Sequence, residues 1–581
     1  MSFGSDNSMI SENRPNSALW RVEKIVVVGA GIVGVPMAAT LAEAEIRLGT
    51  DSPAHVVIIQ RNSSSSGWKV DVINSGRSPI GGLEPDLGKI VSRSVAEGLL
   101  SATHEFSEIH DADVILVCVQ TDKIGFEPDY GPLFSALDSV GEELTKTSTK
   151  KCPLIVIEST LAPSSMQTVI KKHFKEYGLE DGRDVFLGFS PNRVMPGRLV
   201  QRIKTSDKVI SGLHRSTLIR LHALYSRIVL KGNLLSTNCM TAEVVKTLEN
   251  AYRDVRIAYT TEIARHCDAY NIDFYNLREL VNQKLGLEDN ASKNPNTVPS
   301  GGLLIPGIGV GGHCLPKDGI LLLWRQIESG SDVSSSIILE ARSINDESPS
   351  RILERLKKQF TDLSERSVVL LGAAYRFNSS DTRNSPTLQL ACQLMEIGCD
   401  VALHDPFVSP EDQNLIRMGL QKHFSQSLEE SLASAEILVF CAAHNKYLDE
   451  VEKILGQSPI LMGVFDGCNL LKRSDFVGKK IKYIGIGKGE NPPSKQLLDN
   501  ICRGFRALEK GFANEIQRCI NFLNEFHAKD DFNQIEFSEV QRIAGTCVTG
   551  CYMVNPGPIS HIPPSNEFAS RLLRCAEEQL K

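Results

Sequence analysis

The sequence has no excess of positive charge, because 63 lysines and arginines are outnumbered by 70 aspartates and glutamates. The net charge of −7 excludes a dedicated binder of nucleic acids or of anionic membranes. The sequence also has no C-x-x-C pair, and its 14 cysteines are scattered over 581 residues. This excludes a disulfide scaffold and predicts reduced thiols, no metal site and a cytoplasmic protein.

The N-terminus lacks the basic and apolar regions of a signal peptide, and we predict a flexible tail over residues 1–21. The one long apolar stretch, residues 25–42, is about the length of a short membrane span. It contains Gly29, Gly31, Gly34 and Pro36, which are spaced for a turn that enters a helix. We therefore predict no membrane segment.

Short β-branched runs alternate with helical stretches in two parts of the chain, which predicts two parallel-sheet α/β units. The runs lie at residues 24–28, 55–59, 113–119 and 154–157, and again at 367–371, 400–404, 437–440 and 462–465. Between the units, residues 241–272 have helical periodicity without Gly or Pro, which predicts one long connecting helix. A further amphipathic helix over about 497–523 lies in a C-terminal extension.

The predicted fold class is therefore α/β, with two Rossmann-like domains, a long central helix and a helical C-terminal extension. The predicted segments are the tail (1–21), a dinucleotide-binding Rossmann domain (22–235), a central helical domain with a cysteine loop (236–350), a second Rossmann-like domain (351–490) and the extension (491–581).

A glycine-rich turn follows the first predicted strand. In Gly29-x-Gly31-x-x-Gly34 the first glycine permits a tight turn, and the second lets backbone approach a pyrophosphate. The third permits close packing of the helix on the strand. With a strand before it and a helix after it, the pattern favours a dinucleotide site over an empty turn. The expected cofactor contacts are Gly29, Gly31, Ile32, Val33 and Gly34.

The carboxylate expected at the end of the second strand is missing, and Gln60-Arg61 stands there instead. A carboxylate would bind the ribose 2′-hydroxyl of NAD, whereas an arginine tolerates the 2′-phosphate of NADP. Arg61 is a candidate cofactor contact or a plain solvent-exposed arginine, and at this point NADP stays open beside NAD.

A cysteine follows a run of glycines in the loop that ends with Lys317 and Asp318. In this polar, glycine-rich setting we expect Cys314 to be an accessible nucleophile, whereas the other thirteen cysteines fit the usual buried role. Glycines such as Gly311 let a substrate carbon approach closely. On the long helix, Lys246 and Asn250 are four residues apart and share one face. Such a pair is often just a solvated face, but it can also stabilise an oxyanion.

In their order along the chain, these motifs strongly resemble the UDP-glucose/GDP-mannose dehydrogenase family of nucleotide-sugar 6-dehydrogenases, over about residues 22–490. The GGHC form and the S-P-x-R-V-x-P-G segment resemble most the branch that acts on UDP-N-acetylmannosamine or UDP-N-acetylglucosamine. The motifs are GAGIVG (29–34), IEST (157–160), SPNRVMPG (190–197), AEVVKTLENAY (242–252), PGIGVGGHCLPKD (306–318), LGAAYRFNSSDTRNSP (371–386), HDP (404–406), DGCNL (466–470) and YIGIGKG (483–489).

The resemblance implies a four-electron oxidation of the C6 hydroxyl of a UDP-sugar to a uronate for polysaccharide or glycoconjugate synthesis, with NAD as the hydride acceptor. Cys314 would form a thiohemiacetal and then a thioester, which water hydrolyses. Lys246 and Asn250 would steady the developing oxyanions. Asp318 and Thr160 would position or activate water.

The resemblance also implies further ligand contacts. Thr121 and Thr160 would contact the cofactor, and Arg383 would reach the cofactor or the diphosphate through its bidentate fork. Arg376 keeps the charge of a lysine that is frequent in the family. The substrate contacts implied are Arg193, Lys246, Asn250, Gly311 and Arg376. In the family the long helix is the core of a dimer, so we expect a homodimer.

The chain departs from the family pattern at several positions. Asn192 replaces a glutamate that is implicated in hydrolysis, and an amide cannot act as a general base. Glu158 is a hypothetical substitute for that glutamate. Gln120-Thr121-Asp122 replaces Pro-Thr-Pro. Residues 291–316 contain no arginine, and Arg193 or Arg198 are the alternatives for that charge.

Two rival functions remain at this point. The first is a β-hydroxyacid or 6-phosphogluconate type of dehydrogenase, which transfers one hydride and needs no cysteine. The cysteine loop and the second α/β unit argue against it. The second is a binding or regulatory protein that keeps the fold with impaired turnover, an alternative that Asn192, Gln60 and the extension keep open.

Overall fold

The computed structural model describes residues 20–146, 151–193, 196–287, 302–528, 534–547, 550–558, 563 and 568–579. The predicted N-terminal tail lies outside the described residues except for its last two. The strands are β1 Lys24–Val28, β2 His55–Ile59, β3 Leu100–Thr103, β4 Val114–Val117, β5 Asp122–Ile124, β6 Glu127–Asp129, β7 Leu154–Ile157, β8 Phe186–Phe189, β9 Lys208–Gly212, β10 Leu234–Thr237, β11 Ser367–Leu371, β12 Asp400–His404, β13 Phe424–Ser425, β14 Ile437–Phe440, β15 Gly463–Asp466 and β16 Lys482–Gly485.

The α-helices alternate with these strands, except in the centre and at the end of the chain. They are α1 Gly34–Glu43, α2 Lys69–Asn74, α3 Leu87–Ala96, α4 Gly131–Lys146, α5 Lys171–Glu176, α6 Leu199–Thr205, α7 Arg215–Tyr225, α8 Cys239–Ala269, α9 Phe274–Leu285, α10 Leu315–Glu328, α11 Ile337–Asp346, α12 Ser348–Gln359, α13 Pro386–Glu396, α14 Gln413–Arg417, α15 Leu428–Leu432, α16 Asn445–Asp449, α17 Val451–Gln457, α18 Lys495–Phe526, α19 Phe537–Ala544 and α20 Arg571–Glu578.

The first sheet has eight strands in the order β10-β9-β8-β7-β4-β1-β2-β3. Its strand pairs are parallel except β8 with β9, which are antiparallel. β1 lies between β2 and β4, and its apolar run is buried on both faces, as parallel strands require. The glycine turn at the carboxyl end of β1 therefore lies at the sheet edge where ligands of this fold bind.

The second sheet has six parallel strands in the order β13-β12-β11-β14-β15-β16. The chain leaves β11 through Gly372, whose φ of +105° is one that only glycine adopts easily. This places the motif 371–386 at the carboxyl edge of the sheet, facing the cysteine loop. The predicted fold class, with two Rossmann-like parallel units, is confirmed.

The long helix and the extension are present as predicted from their periodicity. α8 (Cys239–Ala269) is the helix predicted over 241–272, with both ends slightly shifted. α18 (Lys495–Phe526) is the helix predicted over 497–523 and is longer at both ends. Asn238 caps α8 by accepting the N–H of Thr241 at 2.8 Å. Ser494 caps α18 in the same way through Leu497. Within the described part of the chain, no helix is long and apolar enough to cross a membrane.

Candidate active site

The glycine turn has the shape of a cradle for a pyrophosphate. Gly29 has φ of +108°, and a Cβ there would lie 2.6 Å from the carbonyl oxygen of Cys118. A Cβ on Gly34 would lie 1.9 Å from the carbonyl oxygen of Gly29. At Gly31 a Cβ would meet nothing within 4 Å, which leaves open space in front of the loop. The two outer glycines are sterically required, and the middle one faces free space. The turn therefore fits a dinucleotide.

The second strand supports this turn through an amide. Oε1 of Gln60 accepts the N–H of Ala30 at 2.9 Å, and its Nε2 donates to the hydroxyl of Ser66 at 2.9 Å. Lys69 donates to the carbonyl of Ala30 at 3.1 Å. Gln60 thus holds the glycine loop, and the predicted contact Arg61 is exposed next to it.

Two threonines join the first domain to the cysteine loop. The hydroxyl of Thr121 donates to the carbonyl of Thr160 at 2.8 Å, and His313 donates from Nε2 to the carbonyl of Thr121 at 2.6 Å. Burial, with the charges of Lys317 and Arg383, lowers the pKa of His313. A neutral ring is therefore expected to make this bond. The histidine shapes the loop between the two predicted cofactor contacts and Cys314.

Cys314 is the exposed member of the fourteen cysteines. It occupies the N-cap position of α10, directly after the glycine-rich loop. The preceding loop is held by the second domain, because Gly312 donates its N–H to the carbonyl of Arg383 at 2.7 Å. Asn384 donates back to the carbonyl of Gly312 at 2.9 Å. A Cβ on Gly311 would lie 2.4 Å from Cβ of Tyr375, so this close approach of loop and domain requires a glycine.

A buried carboxylate organises the groups around the thiol. Asp318 is fully buried, and its Oδ2 accepts the side-chain amide of Asn250 at 2.6 Å. Its Oδ1 accepts the ammonium of Lys317 at 2.5 Å. Nζ of Lys246 lies 3.9 Å from Oδ2 of Asp318. Burial opposes the charge of Lys246, but Asp318 and Cys314 outweigh it and raise its pKa. Lys246 is therefore a cation at neutral pH, close to the thiol.

Arg193, which was predicted to contact the substrate, forms contacts within the protein instead. Its Nη2 lies 2.6 Å from Oε1 of Glu249, and the side chain is only 5% exposed. The same guanidinium donates to the carbonyl of Ile543 and the hydroxyl of Thr546, each at 3.1 Å. These bonds tie the segment near residue 193 to α8 and to the extension, and we no longer assign Arg193 to the substrate.

Three other arginines converge between the domains: Arg202 on α6, Arg253 on α8 and Arg376 after β11. Burial lowers the pKa of Arg253 to about 10, and the other two charges act in the same direction. Burial and the charge of Arg376 also lower the pKa of Arg202, and Nη1 of Arg202 is buried without a hydrogen-bond partner among the described residues. Guanidinium groups gathered in this way suit an anion with several oxygens, such as a diphosphate.

Glu84 is a carboxylate whose charge acts on both Arg202 and Arg376, and it is already engaged in hydrogen bonds. Glu84 accepts the N–H of Leu199 at 3.0 Å and also the N–H of Gly197. Next to it, the N–H of Leu83 donates to the carbonyl of Asn378 at 3.3 Å, which brings the first domain against the second. The arginine cluster therefore lies where the two α/β units and α8 meet.

Arg383 is paired within its own motif. Nε and Nη2 donate to the two oxygens of Asp381 at 2.9 and 2.6 Å. Burial opposes its charge, but Asp381 outweighs burial and raises the pKa of Arg383. The guanidinium is about a third exposed and stays oriented beside the cysteine loop.

The hypothesis that Glu158 replaces the missing hydrolytic glutamate meets a geometric obstacle. Its side chain is fully buried, and Oε2 lies 3.1 Å from Nζ of Lys208. The hydroxyl of Tyr225 donates to Oε1. Oε2 is thus engaged in a buried ion pair and Oε1 in a hydrogen bond with Tyr225, and we assign Glu158 a structural role.

Comparisons with known proteins decide the family. Sequence profiles of the UDP-glucose/GDP-mannose dehydrogenase family match residues 23–229 (NAD binding domain), 240–347 (central domain) and 369–473 (UDP binding domain). The chain belongs to the UDP-glucose/GDP-mannose dehydrogenase family. The UDP-N-acetyl-D-mannosamine dehydrogenase of Pyrococcus horikoshii is 30% identical over 472 residues, which cover 80% of this chain and 100% of the relative.

Solved structures of this family share the fold. The UDP-D-ManNAc dehydrogenase from Pyrococcus horikoshii aligns with a TM-score of 0.65 at 29% identity, covering 81% of this chain and 100% of that one. The NDP-N-acetyl-D-galactosaminuronic acid dehydrogenase from Methanosarcina mazei aligns with a TM-score of 0.61 at 31% identity, covering 81% and 96%. The predicted family, the oxidoreductase class and the cofactor NAD are confirmed.

Membership of this family gives the two sheets their roles. The first carries the glycine turn in its NAD binding domain, and the second lies in the UDP binding domain. Arg202 and Arg253 are site residues that the sequence analysis missed. Arg253 lies three residues after Asn250 and seven after Lys246, so helical spacing puts all three on one side of α8. In the described residues, no cluster of three or more metal-ligating side chains occurs.

Proposed function

We propose that this enzyme oxidises the C6 hydroxyl of a UDP-N-acetylhexosamine to the uronate, in two oxidations at Cys314. The observation that carries the proposal is the exposed thiol at the start of α10, beside the buried Lys246–Asp318–Asn250 group. Two similar proteins support the choice of an N-acetylated sugar. They are named UDP-N-acetyl-D-mannosamine dehydrogenase and NDP-N-acetyl-D-galactosaminuronic acid dehydrogenase.

On this basis we assign residues to the cofactor and to the substrate. The turn from Gly29 to Gly34 would hold the pyrophosphate of NAD, and Thr121, Thr160 and Arg383 would be further contacts of the cofactor, as the family resemblance implies. NAD supplies a hydride acceptor for each of the two oxidations. The arginine cluster of Arg202, Arg253 and Arg376 would hold the diphosphate of the UDP-sugar. Gly311 would leave room for the sugar C6.

The chemistry at the thiol begins once C6 is an aldehyde. Sγ of Cys314 adds to the carbonyl carbon and forms a thiohemiacetal, whose oxygen faces the Lys246 ammonium and the Asn250 amide. Loss of a hydride from this carbon gives a thioester. Lys246 stabilises each oxyanion as a fixed positive charge, since its pKa is raised.

Hydrolysis completes the reaction. A water molecule adds to the thioester carbon, the C–S bond breaks, and the uronate and the Cys314 thiol are released. Asp318 would orient Asn250 and Lys246 toward that carbon, and Thr160, whose carbonyl is bonded to Thr121, would help to position the water. Asn192 has no basic oxygen to contribute, so we assign water activation to the Asp318 carboxylate, with Lys246 remaining a cation.

A substrate panel tests this proposal. Purified enzyme and NAD are mixed with UDP-N-acetylmannosamine, UDP-N-acetylglucosamine or UDP-glucose, and reduced nicotinamide and the sugar product are measured. We expect the N-acetylated sugars to be oxidised to uronates with higher kcat/KM than UDP-glucose. If UDP-glucose were the better substrate, the sugar class would be wrong. If no UDP-sugar reduced NAD, the whole proposal would fail.

A further inference from the structure

The second strand of the first sheet is followed by a neutral side chain where the adenosine ribose of the cofactor is expected. In a Rossmann domain, the residue after this strand faces the ribose 2′ position. β2 ends at Ile59, whose carbonyl accepts the N–H of Gly29 in the glycine turn at 2.8 Å. Gln60 follows directly and carries no charge. A carboxylate at this position would bind a 2′-hydroxyl and repel a 2′-phosphate, whereas an amide does not repel it.

The amide of Gln60 is engaged within the protein at both of its ends. Its Oε1 accepts the N–H of Ala30 at 2.9 Å, and its Nε2 donates to the hydroxyl of Ser66 at 2.9 Å. The main-chain N–H of Gln60 donates to the carbonyl of Thr103, at the end of β3, at 3.0 Å. Gln60 therefore supports the glycine turn, and the residues that follow it are left to contact a group on the 2′ oxygen.

Arg61 places a positive charge next to this position. It is exposed, and it forms no ion pair or side-chain hydrogen bond with the part of the chain that the structure describes. Residues 52–70 contain Arg61 and Lys69 but neither aspartate nor glutamate. A phosphate monoester carries a charge of about −1.5 to −2 at pH 7, and a guanidinium group can bind two of its oxygens at once. Arg61 is therefore available to neutralise a 2′-phosphate.

A turn of serines over residues 63–66 adds hydroxyl groups at the same place. The hydroxyl oxygens of Ser63 and Ser66 lie 2.7 Å apart. The N–H of Gly67 donates to the carbonyl of Ser63 at 2.8 Å and closes the turn. A Cβ on Gly67 would lie 2.9 Å from that carbonyl oxygen, so the tight turn requires a glycine. Because Ser66 also accepts the amide of Gln60, the hydroxyls are held beside the end of β2.

We propose that the residues after β2 bind the 2′-phosphate of NADP, so that the enzyme accepts NADP as well as NAD. Arg61 pairs with the phosphate, the hydroxyls of Ser63 and Ser66 donate to it, and Gln60 adds no repulsion. The NAD binding domain sets the class of cofactor, and these four side chains decide which of its two forms can bind. The inference rests on the dinucleotide site at the glycine turn and does not depend on the identity of the sugar.

Binding of the two dinucleotides in the absence of any sugar tests the proposal. The Kd values of the full-length enzyme for NAD and for NADP are measured by calorimetry. We expect the two values to agree within about tenfold, because Arg61 offsets the charge of the added phosphate. A Kd for NADP more than about tenfold above the Kd for NAD would overturn the proposal. Since no UDP-sugar is present, this result is separate from the test of the proposed substrate.

Two variants locate the phosphate. Arg61→Ser should raise the Kd for NADP by roughly 10- to 100-fold and leave the Kd for NAD nearly unchanged. Gln60→Glu is nearly isosteric and keeps an oxygen for the N–H of Ala30, but its charge should weaken the binding of NADP alone. Arg47→Ser is the control, because Arg47 precedes β2 and lies at the opposite edge of the sheet. Unchanged NADP affinity in Arg61→Ser, or an equal loss for both dinucleotides, would overturn the proposal.

Discussion

The side-chain amide of Asn250 donates to Oδ2 of Asp318 at 2.6 Å, although the two residues are 68 positions apart in the chain. This bond joins the middle of α8 to the first turn of α10. Because α10 begins directly after Cys314, the bond also fixes the thiol relative to Lys246. The proposed stabilisation of the oxyanions by Lys246 and Asn250 depends on this arrangement.

Removing the charge of Asp318 is predicted to lower the pKa of Lys246. Asp318→Asn should lower kcat by about 10²- to 10⁴-fold, because the oxyanion-stabilising groups lose their anchor. The pKa of Lys246 is raised by Asp318, so the alkaline limb of the pH–rate profile should move to lower pH. Glu328→Gln, on the exposed end of α10, is the control. An unchanged alkaline limb would argue against this coupling.

The thiol of Cys314 is predicted to be indispensable for uronate formation. Cys314→Ala should reduce uronate formation roughly 10³-fold or more, because removal of a covalent nucleophile has effects of this size or larger. Binding of UDP, measured by calorimetry, should stay unchanged. Cys392→Ala, at a half-buried cysteine of α13, should behave like the parent enzyme. Full uronate formation without the Cys314 thiol would refute covalent catalysis.

The arginine cluster is predicted to bind the diphosphate. Arg202→Gln should raise KM for the UDP-sugar and the Kd for UDP by roughly 10- to 100-fold, since charge-assisted hydrogen bonds contribute about 1.5–3 kcal/mol. The change in kcat should be smaller. Arg215→Gln, at an exposed position of α7, serves as the matched control. Equal UDP affinity in the Arg202 variant and the control would remove the diphosphate from this cluster.

The docking of the extension is predicted to depend on pH through Glu515. Burial raises the pKa of Glu515 to about 7, so the folded protein holds a proton that the unfolded chain releases above about pH 4.5. Its contribution to stability is therefore present below about pH 4.5 and is lost as pH rises to about 7. The loss amounts to about 3 kcal/mol.

Glu515→Gln keeps an acceptor for Ile337 and a donor for Ser336 and removes this titration. Urea unfolding at pH 5 and pH 8 should show that the variant gains stability relative to the parent at the higher pH. Glu525→Gln, exposed on the same helix, should show no such gain. A difference between variant and parent that is independent of pH would exclude Glu515 as the titrating group.

Local patterns in the sequence were sufficient for most of the fold. The apolar runs at 24–28 and 367–371 are typical of strands buried on both faces of a sheet, and both form such strands. The spacing of Gly29, Gly31 and Gly34 indicates the tight turn between strand and helix that the structure contains. The strands β8, β9 and β10 at the sheet edge and the short helix α19 were not predicted. Their positions are fixed by packing against distant segments rather than by their own periodicity.

The candidate site was predicted less completely, because its contacts are long-range. Cys314, Lys246, Asn250 and Asp318 come together as the motifs indicated. Nothing local in the sequence distinguishes Arg193, bound to Glu249 and to the extension, from an arginine that faces a ligand. The loop over residues 291–316, in which the family commonly presents an arginine, lies outside the described residues up to residue 301.

The number of NAD molecules reduced per sugar shows whether both oxidations take place at Cys314. Enzyme, excess NAD and a limiting amount of UDP-N-acetylmannosamine react to completion, and reduced nicotinamide is counted per sugar consumed. We expect two reduced cofactors and one uronate carboxylate per sugar, because Cys314 retains the aldehyde for the second oxidation. One reduced cofactor per sugar, with the free aldehyde as the product, would contradict this expectation.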